Sequence, residues 1–330
     1  MSPGHDRHRE GGERLVVPRA DFRSYYGRPV LKAPVWKHDI PAYLFTGGLA
    51  AGSSLIAAGA DYARLPGLRR VGRVSSLGAL TASTYFLVND LGRPDRLLNM
   101  LRVAKPTSPM SMGSWVLAAF GPAAGAAALA EFADTLPARG PLGVVRRLLP
   151  PVGRVAGWAA AALAPALATY TAVLLADTAV PAWHEAHPEL PFVFTGSALA
   201  SASGVGLALA PLAQTAPVRR LALTGAAIEL TAARTLETRL GLLSEAYDSG
   251  RAGRLLRIGR NLTTAGVAGA LLGRRSRVAS VVSGAALVVA AAATRFGVYE
   301  GGVVSAKDPK YTVVPQRQRV EHGLAVGPET

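Results

Sequence analysis

Residues 36–60 read WKHDIPAYLFTGGLAAGSSLIAAGA, and this stretch decides the fold. Trp36, Lys37, His38 and Asp39 crowd its start, and from Ile40 to Ala60 there is no charge. A helix that crosses a bilayer needs about 20 such residues. Trp36 and Tyr43 are the amphipathic aromatics expected at the membrane–water interface. Gly48 and Gly52 form a GxxxG step, which lets a second helix approach closely. The run therefore predicts a transmembrane helix. The competing assignment, a buried helix of a large soluble protein, loses ground because similar stretches recur along the chain.

Working outward, the chain of 330 residues is half hydrophobic, with 17% charged residues and a formal charge of +15. A soluble protein of this size carries closer to a quarter charged residues. The positive charge therefore concentrates in short segments between apolar runs. Basic loops of that kind suit anionic lipid headgroups and the control of topology. No basic module interleaved with aromatics stands out, so no nucleic-acid partner is expected. The chain has no cysteine, which excludes disulfides and any iron–sulfur cluster ligated by its own thiolates. The first 36 residues are highly charged and contain no apolar core of a signal peptide.

Eight apolar segments follow the polar start, at roughly 39–61, 71–91, 110–134, 152–177, 190–213, 218–240, 255–273 and 277–299. The seventh is the least apolar, with Arg257 and Arg260 in its first turns, where they can snorkel to the interface. The expectation is an all-α, polytopic membrane protein with eight transmembrane helices at 36–300, a polar tail at 1–35 and another at 301–330. An even count puts both termini on one side. Small residues in SALASASGVG of the fifth segment predict tight helix contact.

The even count gathers polar residues on the side of the N-terminus. The first helix offers His38 and Asp39, the second Asn89 and Asp90. The fourth offers Tyr170, Thr171 and Asp177, and the sixth Glu229, Arg234 and Glu237. The far side has fewer such groups, chiefly Glu131 and Asp134. Ionisable residues within a span are costly and mark a functional site by default. Arg234 and Glu237 are about 60° apart around a helix and can pair, and Glu229 and Glu237, about 80° apart, can face one cavity. Glu229 has no basic residue at helical spacing, which favours a proton-handling role. His38 is either a hydrogen-bonding group for a ligand carbonyl or a solvated interfacial histidine. None of the six histidines lies mid-span, so no b-type haem is expected. His184 and His187 are spaced by three, as a metal pair can be. Between the second and third segments, Arg93, Arg96, Arg102 and Lys105 suit an acidic partner surface or lipid headgroups.

At this point a resemblance enters. IPAYLFTGGLAAG (40–52), DLGRPDRLLNML (90–101), KPTSPMSMGSW (105–115), TYTAVLLADTAVPAW (169–183) and FTGSALAS (194–201) resemble the NrfD-like membrane subunits of polysulfide-reductase type. The likeness spreads over roughly residues 25–315. One departure is Ala172, where the family's YTG step has glycine. The resemblance implies two four-helix bundles and no cofactor ligated by this chain. It also implies a ferredoxin-like iron–sulfur partner, a molybdopterin catalytic subunit, and a quinone or menaquinone site near the docking contact. Carried over residue by residue, His38, Asp39 and Tyr170 would bind the quinone. Asp90 and Glu229 would relay protons, with Arg234 tuning an acid. Two rival readings are a proton-translocating or transporter-like subunit and a purely structural anchor. Lys and Arg are somewhat more numerous on the N-terminal side, so the positive-inside rule predicts a cytoplasmic docking face.

Overall fold

The computed structural model describes residues 30–321 except Pro94. Of the polar tails expected at the two ends, residues 1–29 and 322–330 lie outside the described residues. Residues 30–38 form an irregular strap. The helices in order are α1 (Asp39–Tyr62), α2 (Pro66–Asp90), α3 (Arg96–Met100), α4 (Pro109–Ala130), α5 (Pro141–Ala176) and α6 (Pro181–Glu185). Then come α7 (Leu190–Leu209), α8 (Ala216–Arg239), α9 (Glu245–Asp248), α10 (Gly250–Leu272), α11 (Arg277–Lys307) and α12 (Lys310–Glu321). Among the described residues there is no strand.

Each of the eight apolar segments meets one of the long helices, α1, α2, α4, α5, α7, α8, α10 and α11. Five of these, α1, α4, α5, α7 and α11, are long and apolar enough to cross a membrane. The other three carry arginines in their first turns: Arg69, Arg70 and Arg73 in α2, Arg219 and Arg220 in α8, and Arg251, Arg254, Arg257 and Arg260 in α10. Two boundaries differ from the sequence reading. α5 starts at Pro141 and runs through Pro150 and Pro151 for 36 residues. α11 continues to Lys307, and α12 follows, so the segment after 300 begins as helix.

Consecutive long helices pair as α1 with α2, α4 with α5, α7 with α8 and α10 with α11, while α1 and α7 pack on each other and on both α5 and α11 between these pairs. Small residues make this possible. A Cβ on Gly52 would stand 2.5 Å from the Ala198 carbonyl oxygen, and one on Gly204 would stand 2.5 Å from that of Gly284. Gly52 of α1 and the small-residue run of α7 are thus places where backbones touch, while Gly48 makes room for the Arg295 side chain. Without a hydrophobic driving force between helices in lipid, such close contact is what holds them. Arg277 closes the far end of α7 by donating to the carbonyls of Ala208 (2.5 Å) and Ala210 (2.7 Å), where the helix carries its negative pole.

An aromatic cap closes the face where α1 begins. Trp183 is fully buried and donates to the Val298 carbonyl at 2.9 Å. Its ring stacks on Trp36 (6.0 Å) and lies against Tyr299 (5.7 Å). Tyr299 in turn donates to the Trp36 carbonyl, and Tyr247 to that of Ala182. The strap is therefore tied to α6 and α11.

Candidate functional site

At the capped face, the ends of α1 and α2 meet. Asp39 opens α1 and accepts a hydrogen bond from the Asn89 side chain at 3.0 Å. Asp90, the last residue of α2, accepts from the backbone amide of Lys37. His38 is the exposed N-cap residue of α1. One turn further in, Tyr43 is buried and meets Tyr170 of α5 edge to face at 6.5 Å. The Tyr170 ring packs against Gly113 of α4, where any Cβ would collide with it. The Tyr170 hydroxyl is buried and has no hydrogen-bond partner among the described residues. Beside Gly113 is a recess of about 250 Å³ lined by Met100, Val103, Lys105, Ser108, Met110, Ser111 and Ser114. His38, Asp39, Asp90 and Tyr170 thus lie at the α1–α2–α4–α5 end.

Glu229 and Arg234 go elsewhere, which corrects the expectation of one shared site. They line a cavity of about 240 Å³ bounded by α8, α10 and α11. Glu229 is 3% exposed. Its Oε1 accepts from the Thr294 hydroxyl at 2.8 Å, and its Oε2 has no partner among the described residues. Nearer the surface, Arg234 pairs with Glu237 at 3.6 Å, at the predicted spacing of three, and Arg260 also reaches Glu237 at 3.4 Å. The reason for the division is geometric. Position along a helix fixes depth in the membrane, whereas lateral packing decides which residues share a space.

Sequence reasoning missed Arg295. It is buried on α11, acts on Glu229 through its charge, and supplies the basic neighbour that α8 lacks. Its guanidinium lies 3.7 Å over the Phe194 ring and donates to the Phe194 carbonyl at 2.6 Å. It also rests on Gly48 of α1, where a Cβ would come within 2.9 Å of Nη2. The signal was present, since Arg295 is an ionisable residue deep in an apolar run.

At the opposite face the structure adds partners to Glu131. This carboxylate accepts from Arg69 Nε at 2.8 Å and Arg73 Nη1 at 2.9 Å, both on α2. Arg69 also reaches Asp61 of α1 at 3.2 Å, and Arg154 of α5 approaches Asp61 at 3.7 Å. Asp134 is exposed and pairs loosely with Arg146. The far side therefore holds a four-helix ion network rather than isolated acids. His184 and His187 turn their Nδ1 atoms to the carbonyls of Ala176 and His184. No group of three or more His, Asp or Glu among the described residues is placed to hold a metal.

No curated protein matches the chain. Residues 30–244, more than half of the chain, match the family described as polysulphide reductase, NrfD. That span starts in the strap and covers α1 to α8, including the α1–α2–α4–α5 end. With its helices long enough to cross a membrane, the chain belongs to the NrfD family of membrane subunits of polysulphide-reductase-like complexes.

Proposed function

We propose that this chain is the quinone-reacting membrane subunit of a multi-subunit oxidoreductase, with all eight long helices crossing the membrane as two four-helix bundles. The observation that carries the reading is the Tyr170 hydroxyl, buried at the α1–α2–α4–α5 end without a partner among the described residues. A buried polar atom left unpaired is rare and calls for a ligand or water. The residues present fit a quinone: a phenol to hydrogen-bond a ring oxygen, aromatic surface at Tyr43, and two carboxyls within the same end. When bound, a quinone takes up or releases two electrons and two protons. Tyr170 would orient the ring through its hydroxyl. Asp39 and Asp90 would hold or release protons at their carboxylate oxygens, with Asn89 and the Lys37 amide fixing their positions. His38 stands at the mouth. The capped face would dock a ferredoxin-like iron–sulfur subunit, itself joined to a molybdopterin subunit that acts on the soluble substrate. Arg93, Arg96, Arg102 and Lys105, around and beyond α3, offer that partner a basic surface.

The test is Tyr170→Phe in the assembled complex. Loss of one hydrogen bond to the ligand is expected to lower quinone-linked turnover about tenfold, with subunit composition unchanged. Full turnover with a soluble quinone analogue would remove Tyr170 from the site. The charge asymmetry of the loops supports a docking face in the cytoplasm. A reporter that fluoresces only in the cytoplasm, fused to Thr330, is expected to light. A dark fusion, with an exterior-active enzyme working at the same position, would place the docking face outside.

A further inference from the structure

The cavity between α8, α10 and α11 has the features of a binding site, and the reading above does not use it. Seven of its sixteen lining residues come from α10 and α11, which lie beyond the residues that match the family. Its volume is about 240 Å³, and an apolar cavity of about 150 Å³ already holds a benzene ring. Val193, Leu230, Ala233, Leu236, Leu256 and Val298 supply its apolar wall. Of its charged lining residues, Arg234, Asp248, Arg257 and Arg260 are exposed and Glu237 is half-buried, so the one buried charged group is the Glu229 carboxyl at the inner end. Thr294 occupies its Oε1, and its Oε2 is buried and unpartnered among the described residues. The outer end lies at the seam of α8 and α10, where the side chains of Arg234 and Arg260 are more than half exposed. α10 packs chiefly on α11 and only lightly on α8, which leaves that seam open.

We propose that this cavity is a second site for a lipid-borne ring bearing a hydroxyl, a quinol, whose hydroxyl donates to Glu229 Oε2. The ligand class rests on the quinone reading above; the site itself rests on the cavity. The chemistry selects against an acyl chain, which would fill the apolar walls and leave Oε2 without a donor. It selects against a phospholipid headgroup too, because a phosphate has no reason to pass Arg234 and Arg260 to reach a carboxyl. A quinol meets both ends: its ring suits the apolar walls, its hydroxyl suits the carboxyl, and its isoprenoid tail leaves by the seam. Arg295 fixes the site from behind. Clamped to Phe194 and seated on Gly48, it holds a cation beside Glu229 without entering the cavity lining.

The test uses the whole complex in nanodiscs and a menaquinol analogue, kept in its reduced form and carrying a photoreactive diazirine beside the ring. Labelled peptides are mapped by mass spectrometry. Two labelled regions are expected, one on α4 and α5 and one on α8, α10 and α11. Glu229→Leu is expected to lower the second at least tenfold and leave the first. Val298→Trp, which fills the cavity from α11 without touching the carboxyl, should do the same, and it covers the case in which the Glu229 variant fails to assemble. Label confined to α4 and α5 would overturn this proposal while the function above stands. Label on α8, α10 and α11 that survives both variants would also overturn it. Label confined to the second region and lost in both variants would uphold this site and move the functional one. No specific label anywhere would end both.

Discussion

Glu131→Ala is expected to destabilise the protein by about 3–5 kcal/mol, the usual cost of removing one partner from a buried ion pair. Arg73 has a nearly buried side chain and relies on Glu131 at 2.9 Å. Its Nε is already without a partner, and the nearby Asp61 is engaged by Arg69 and Arg154. Loss of the carboxylate leaves a guanidinium charge among Ser54, Ser76 and the Gly157 backbone. Glu131→Gln keeps an acceptor and should cost less. Asp134→Ala, at an exposed neighbour, should stay within about 0.5 kcal/mol of wild type. Thermal unfolding in detergent measures all three. A Glu131→Ala protein that melts with the Asp134→Ala control would mean that the network contributes no stability.

The second large effect is expected at the cap. Trp183→Ala should cost about 3–5 kcal/mol, as truncation of a buried large aromatic does. The indole is fully buried, packs face to face with Trp36, and seats on Gly302, where even a Cβ would clash with it. Its removal takes away the surface to which the strap at 30–38 is tied. The strap should then be cut by protease faster than the helices, and Trp183→Phe should restore part of the protection. Unchanged cleavage between residues 30 and 38 would show that Tyr299 alone anchors the strap through the Trp36 carbonyl.

Much of this architecture was legible in the residues. The uncharged run after Asp39 fixes α1, and the small residues of α7 fall where backbones meet. The pairing of Arg234 with Glu237 follows from a spacing of three. Two kinds of feature were not legible. The first is any contact across the membrane plane: Thr294 and Glu229 are 65 positions apart, and nothing periodic links them. That is why Glu229 seemed to lack a basic neighbour, and why six residues at one depth looked like one site. The second is length. Pro150 and Pro151 sit inside α5, because a proline pair ends a helix only where the backbone cannot adjust and neighbours cannot re-satisfy the freed carbonyls. The charged first turns likewise put the starts of α2 and α10 ahead of the apolar segments at 71–91 and 255–273.

The arginines of α2 also bear on how the chain enters the membrane. α2 leaves the ribosome with Arg69, Arg70 and Arg73 in its first two turns, and the acid that neutralises Arg73 is not yet made. Glu131 follows some sixty residues later, at the end of α4. Asp61 of α1 can hold Arg69 meanwhile, but Arg73 must wait at the interface or inside the insertion machinery. On the eight-span reading proposed above, α2 settles only when α4 arrives beside it, so the first helices would be integrated as a set and not one at a time. A ribosome stalled before residue 131 should leave α2 extractable by alkaline wash, and one stalled well after it should not.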